Sequence, residues 1–180
     1  MNESQNVHSD SSVHKGKTIL VVDDVEIVVE MLEVVLSHMG YKTASAHGGA
    51  EGLRLFKQFK PDGVITDIGM PEMNGYQLVR EIRATGTTIP IIMVTGYSMF
   101  DDVERSLLAG ADAHMTKPID PRDLLDLLND LLLKPPSELE QLRSSQSEQH
   151  GSSTAQRNEN KEMKKPWKLF KKKTIPKRHI

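Results

Sequence analysis

The chain has 180 residues, no Cys and a formal net charge of −2. That length suits one domain with extensions, and the lack of Cys excludes disulfides and thiolate metal sites, as suits a reducing compartment. The polar stretch Met1 to Lys17 has no apolar signal core, and the apolar runs fall short of the ~18 residues of a membrane span, so the expected location is cytoplasmic.

The small net charge hides an asymmetry. Residues 1–134 carry 12 Lys/Arg against 20 Asp/Glu, whereas residues 135–180 carry 11 against 5. An acidic body is joined to a basic tail. Aromatic residues make up only 4% of the chain, so the core must be aliphatic.

In chain order, Thr18–Val22 is the first predicted strand, and Val25–Met39 a helix stopped by Gly40. Tyr41–Ser45 is a weaker strand. Over Gly48–Phe59 a helical stripe runs through Ala50, Leu53 and Phe56, with Leu55 and Phe59 beside it. Pro61-Asp62-Gly63 turns the chain into a buried strand, Gly63–Thr66. Asn74 is placed to cap a helix over Gly75–Arg83. Ile89–Val94 is a strand with Pro90 near its start, where the missing N–H does least harm. A helix over Asp101–Ala109 stops at Gly110, and Ala111–Met115 is the fifth strand. Asp120 and Pro121 open a last helix reaching Leu133.

Regular alternation of this kind predicts an α/β fold with a parallel sheet covered on both faces. Five units most often form the flavodoxin-like (βα)5 doubly wound sheet, strand order 2-1-3-4-5. A dinucleotide-binding sheet would need G-x-G-x-x-G after a strand, and none follows one here. The expected segments are a flexible 1–16, a globular domain over 17–134, a disordered linker over 135–160 rich in Ser, Gln, Glu and Asn, and a basic tail over 161–180.

In such a sheet the strand carboxyl ends share one rim, where ligands bind. That rim collects Asp23 and Asp24 from the first strand, Asp67 from the third, Thr95 from the fourth and Lys117 from the fifth. Clustered carboxylates call for a hard divalent cation, Mg²⁺. Asp67 could then accept a phosphoryl group, with Thr95 and Lys117 engaging its oxygens. The bland alternative is a set of surface carboxylates, one of them (Asp24) capping a helix.

Val21-Val22-Asp23-Asp24, Thr66-Asp67-Ile68-Gly69-Met70-Pro71-Glu72-Met73-Asn74-Gly75, Val94-Thr95-Gly96 and Thr116-Lys117-Pro118 together resemble the CheY-like receiver domain of two-component response regulators, over about residues 17–134. The resemblance implies that Asp67 is the phosphoacceptor and that Asp23, Asp24, Asp67 and the Gly69 carbonyl hold Mg²⁺. It makes Thr95 the switch hydroxyl, Lys117 the family lysine, and Lys117-Pro118 a cis bond. The family's switch aromatic falls on His114, whose charge depends on pH. Gly69 and Tyr97 stand where the family tunes water access to the acyl phosphate.

The resemblance implies a signalling domain of a phosphorelay rather than an enzyme. A sensor histidine kinase or phosphotransfer protein would supply the phosphoryl group. Output would run through the face built from the fourth helix, fifth strand and fifth helix (around Ser98–Asp130), by contact with a downstream protein or by dimerisation. The alternatives are a phosphorylation-independent scaffold and an effector acting through its tail. An aspartate-nucleophile phosphatase would need Asp-x-Asp on the first strand. Lys161–Ile180 mixes nine cations with Trp167, Leu169 and Phe170. Its readings are a solvated charge run, an anchor to anionic membrane, a contact to nucleic acid or docking on the acidic receiver. Nothing resembling a DNA-reading module follows the receiver, so a stand-alone regulator is expected.

Overall fold

The structure is a computed structural model and describes residues 16–96 and 100–151, the side chains of 100, 101 and 146–151 excepted. The elements run β1 (Thr18–Val22), α1 (Glu26–His38), β2 (Lys42–Ala46), α2 (Gly49–Phe59), β3 (Gly63–Asp67), α3 (Gly75–Ala84), β4 (Ile91–Thr95), α4 (Phe100–Ala109), β5 (Ala113–Thr116), α5 (Pro121–Leu133) and α6 (Pro136–Gly151). The five strands form one parallel sheet in the order β2-β1-β3-β4-β5, as the alternation of strand and helix patterns predicts.

Successive strand residues point to opposite faces, and the sheet accordingly carries two cores. Leu20, Val22, Val64, Ile91 and Met93 pack with Leu55, Phe56, Leu78, Val79 and Ile82 of α2 and α3. Ile19, Val21, Ile65, Ile92 and Val94 pack with Leu32, Leu36, Leu124, Leu128 and Leu131 of α1 and α5. The helix boundaries obey their punctuation. Asn74 and Gln77 form a reciprocal capping box at α3. Asp120 accepts from the Arg122 N–H at α5, with Pro121 in the first turn. Gly40 and Gly110 take positive φ, 87° and 102°, where helices end.

Two expectations need correction. On α2 the buried face runs through Gly49, Gly52, Leu55 and Phe56, not Ala50 and Phe59, which are exposed. The inward glycines let backbones close up: a Cβ on Gly52 would sit 2.9 Å from a Val22 methyl, and one on Gly49 would sit 2.2 Å from the Met73 carbonyl oxygen. A stripe drawn through apolar side chains alone passes over them.

Of the disordered linker expected at 135–160, Pro136–Gly151 form a helix, and residues 152–160 lie outside the described residues. Its buried or half-buried positions Leu139, Leu142 and Arg143 follow i, i+3, i+4 spacing, and α6 packs against α4. Leu139 is 2% exposed in the core on the α1–α5 side. Arg143 pairs with Asp112, which also accepts from Arg83 Nη2 at 2.6 Å and from the Ile91 N–H at 2.8 Å. Asp112 is buried, so its charge needs these donors. Burial pulls Arg83 down to about 10, still charged at neutral pH. The segments 1–15 and 152–180, including the basic tail, lie outside the described residues.

Candidate phosphoacceptor site

The residues singled out in the sequence come from four strand ends. Asp67 is the last residue of β3 and Thr95 the last of β4. Asp23 directly follows β1 and Lys117 directly follows β5. Backbone bonds tie these ends together. Lys117 donates its N–H to the Thr95 carbonyl at 2.7 Å, Ile68 to Val94 at 3.0 Å, and Asp23 to Ala46 at 3.2 Å. The rim is therefore an extension of the sheet rather than a set of loose loops.

The Lys117 ammonium stands between two carboxylates, 2.7 Å from Asp23 Oδ2 and 2.7 Å from Asp67 Oδ1. Asp23, Asp67 and Thr95 are all buried. The remaining carboxylate oxygens are held by backbone: Asp23 Oδ1 accepts from the Val25 N–H at 3.0 Å, and Asp67 Oδ2 accepts from the Gly69 N–H. Burial works against the charge on Lys117, but the hydrogen bonds to Asp23 and Asp67 and their charges outweigh it and raise its pKa. The lysine is a fixed cation at neutral pH.

The loop after β3 is shaped to leave Asp67 at its edge. Gly75 starts α3 so close to the strand end that a Cβ there would lie 2.1 Å from the Asp67 carbonyl oxygen. Glu72 turns the loop with φ 61°, and Met70 is buried beneath it. The Lys117-Pro118 bond is cis, as expected from the resemblance.

Asp24 is separate from this pair. It is exposed, and α1 is capped by Val25 without a side-chain hydrogen bond, so Asp24 does not cap the helix either. Among the described residues no three His, Cys, Asp or Glu are gathered as a metal cluster. Two carboxylates converging on one point nevertheless suit Mg²⁺, which takes one or two carboxylates and fills its remaining positions with water and phosphate oxygens. The donor set fits a hard cation, with Asp24 on the adjoining rim.

His114 lies on β5, half-buried, with Nδ1 2.9 Å from Ser106 Oγ. Ser106 donates to the Asp102 carbonyl at 2.7 Å, and Tyr76 donates from its hydroxyl to Asp102 Oδ1 at 3.1 Å. With its hydroxyl proton spent on Asp102, Ser106 accepts from His114 Nδ1–H. Nε2 is then a buried acceptor without a partner among the described residues. Burial lowers the His114 pKa, against a smaller opposing pull from Asp102. Burial, helped by Asp102, pushes the Tyr76 phenol up to about 12. The sequence reading missed Ser106, Asp102 and Tyr76. The available signal was Asp102 and Ser106 one turn apart on an amphipathic helix. Tyr97 lies outside the described residues.

The family model of the response regulator receiver domain matches residues 19–129. The chain belongs to the response regulator receiver family. Among curated relatives, response regulator MprA of Mycobacterium ulcerans (strain Agy99) is 37% identical over 114 residues, covering 63% of this chain and 49% of that protein. The transcriptional regulatory protein GlrR of Escherichia coli (strain K12) is 35% identical over 119 residues, covering 66% of this chain and 27% of its own length. The receiver here thus spans about half or less of the curated relatives it matches. Among solved structures, a CheY-like receiver domain protein from Methanospirillum hungatei JF-1 superposes with a TM-score of 0.63 at 33% identity, covering 71% of this chain and 98% of that one. A receiver domain protein from Clostridium thermocellum gives 0.61 at 30% identity, covering 64% and 94%. The receiver is a signalling domain of two-component systems, with the flavodoxin-like sheet its sequence predicts. Among the described residues no helix is long and apolar enough to cross a membrane.

Proposed function

We propose that this receiver accepts a phosphoryl group on Asp67. The observation that carries the reading is the convergence of Asp67 and Asp23 on the Lys117 ammonium at one buried rim. A carboxylate oxygen of Asp67 attacks the phosphorus of a phosphohistidine on a histidine kinase or phosphotransfer protein. The P–N bond breaks, its electron pair stays on the imidazole, and an acyl phosphate forms. Phosphoryl transfer asks the protein chiefly for positioning and charge neutralisation. Lys117 neutralises charge beside the acceptor, and the Gly69 N–H fixes the carboxylate plane. Thr95, at the end of β4, would engage an added phosphoryl oxygen.

Asp23, Asp24, Asp67 and the Gly69 carbonyl would hold Mg²⁺, which would supply further charge neutralisation at the transferred group. The receiver hydrolyses its acyl phosphate slowly and otherwise acts as a switch rather than an enzyme turning over a substrate. Its setting is the cytoplasm. Thr95 and His114 relay the phosphorylated state to the α4-β5-α5 face, where a downstream protein or a second copy binds. In this chain α6 borders that face, because it packs on α4.

The test is incubation of the protein with acetyl phosphate and Mg²⁺, read as a gel shift on a phosphate-binding matrix. The parent protein shifts, EDTA abolishes the shift, and Asp67→Asn does not shift. An Asp67→Asn protein that labels like the parent would sink the assignment.

A further inference from the structure

Helix α1 carries an apolar column on its solvent side. Ile27 is 67% exposed, Met31 38% and Val34 70%, at i, i+4, i+7 spacing on one helix face. Val29, Leu32 and Leu36 are buried against the sheet, so the exposed column is a second face, uncovered among the described residues. Glu26 and Glu30 are exposed in the adjoining column. Neighbouring α5 contributes exposed Asp123, Asp126 and Asp130 against one exposed cation, Arg122, and α5 packs against α1. This side of the molecule is a greasy strip in an acidic field, which suits a basic segment with large apolar side chains.

The chain contains such a segment. Lys164–Lys173 carries six lysines interleaved with Trp167, Leu169 and Phe170 and has no acidic residue. Twelve residues, 152–163, separate it from the end of α6 at Gly151. A linker of that length extends to at most ~40 Å. A domain of this size is about 35 Å across, comparable with that reach.

We propose that the exposed face of α1 is the docking site of the chain's own segment Lys164–Lys173. Trp167, Leu169 and Phe170 cover Ile27, Met31 and Val34, and the lysines face Glu26, Glu30 and the α5 aspartates. Because α1 starts at Glu26, with only its N-cap Val25 after the Asp23–Asp24 pair, the docked segment lies beside the acidic rim. The proposal does not depend on phosphorylation of Asp67.

Trp167 is the only Trp in the chain, so its fluorescence reports on the segment alone. In the full-length protein at low salt we expect blue-shifted emission and a severalfold lower acrylamide quenching constant than in urea, independent of protein concentration. Glu26→Lys/Glu30→Lys and Ile27→Ser/Met31→Ser/Val34→Ser, all surface changes, should each return Trp167 to solvent-like emission. High salt should do so in part, since exposed charges are screened within ~10 Å at 0.1 M. Circular dichroism of each variant establishes that it is folded. Solvent-like emission in the parent protein overturns the proposal, as does protection that survives both sets of changes. Protection that arises only with phosphatidylglycerol vesicles, or only with added duplex DNA, also overturns it and assigns the segment to that surface instead.

Discussion

At Lys117 two carboxylates and one ammonium share a buried point, and the balance among them decides the site's behaviour. Replacing Lys117 by Met leaves Asp23 and Asp67 facing each other without a fixed cation. Losing one such electrostatic partner lowers rates by about 10²-fold, so the initial rate of labelling by acetyl phosphate should fall by that order. An unchanged rate would remove Lys117 from the site. His114 makes a different prediction. Its pKa is lowered by burial, so the folded protein resists a proton that the unfolded chain accepts near the ordinary value of about 6.5. Stability should therefore decline as the pH falls from about 6.5 and level off once the folded-state pKa is passed. His114→Phe lacks that decline, and urea midpoints at pH 5 and 7.5 compare the two; equal losses would contradict it. The identities at the rim were legible in the sequence because each follows an apolar strand. The Ser106 contact of His114 was not, because it depends on how α4 lies against β5, which no local pattern records.

Individual elements follow their sequence signals wherever the signal is local. Asn74 caps α3 and Asp120 caps α5, both as expected, because a cap is made within a single turn. The two errors came from contacts over longer distances. Gly49 and Gly52 face inward because of what they touch, and their lack of a side chain hides this from an apolar count. Gly49→Ala or Gly75→Ala should each lower stability by ~1–3 kcal/mol through overpacking, read as a drop in Tm; Gly75→Ala should also slow labelling, since its Cβ would press on the Asp67 backbone. Helix α6 was overlooked because its inward stripe is short and its remainder is Ser, Gln and Glu. It is held by Leu139 and by the Asp112 ion pair with Arg143. Leu139→Ala should cost ~2–4 kcal/mol as a cavity. Arg143→Ala should cost ~1–3 kcal/mol by stripping a donor from a buried carboxylate. Equilibrium urea unfolding of both variants measures this, and wild-type stability would mean that α6 does not dock.

For the molecule as a whole, the parallel topology does most to explain function. All strand carboxyl ends point one way, so four separate sequence motifs meet on one rim. That convergence is why the site could be assembled from sequence, although Asp24 stands apart from Asp23 and Asp67. Membership of the receiver family gives the fold and the signalling class; the phosphoacceptor chemistry is the step that calls for a direct measurement. Borohydride cleaves an acyl phosphate and reduces the aspartyl carbon to the alcohol, marking the acceptor as homoserine. The protein is incubated with acetyl phosphate and Mg²⁺, treated with borohydride, digested and sequenced by mass spectrometry. We expect homoserine at position 67 and nowhere else, and none when EDTA is present. Homoserine at another aspartate, or none at all under Mg²⁺, would contradict it.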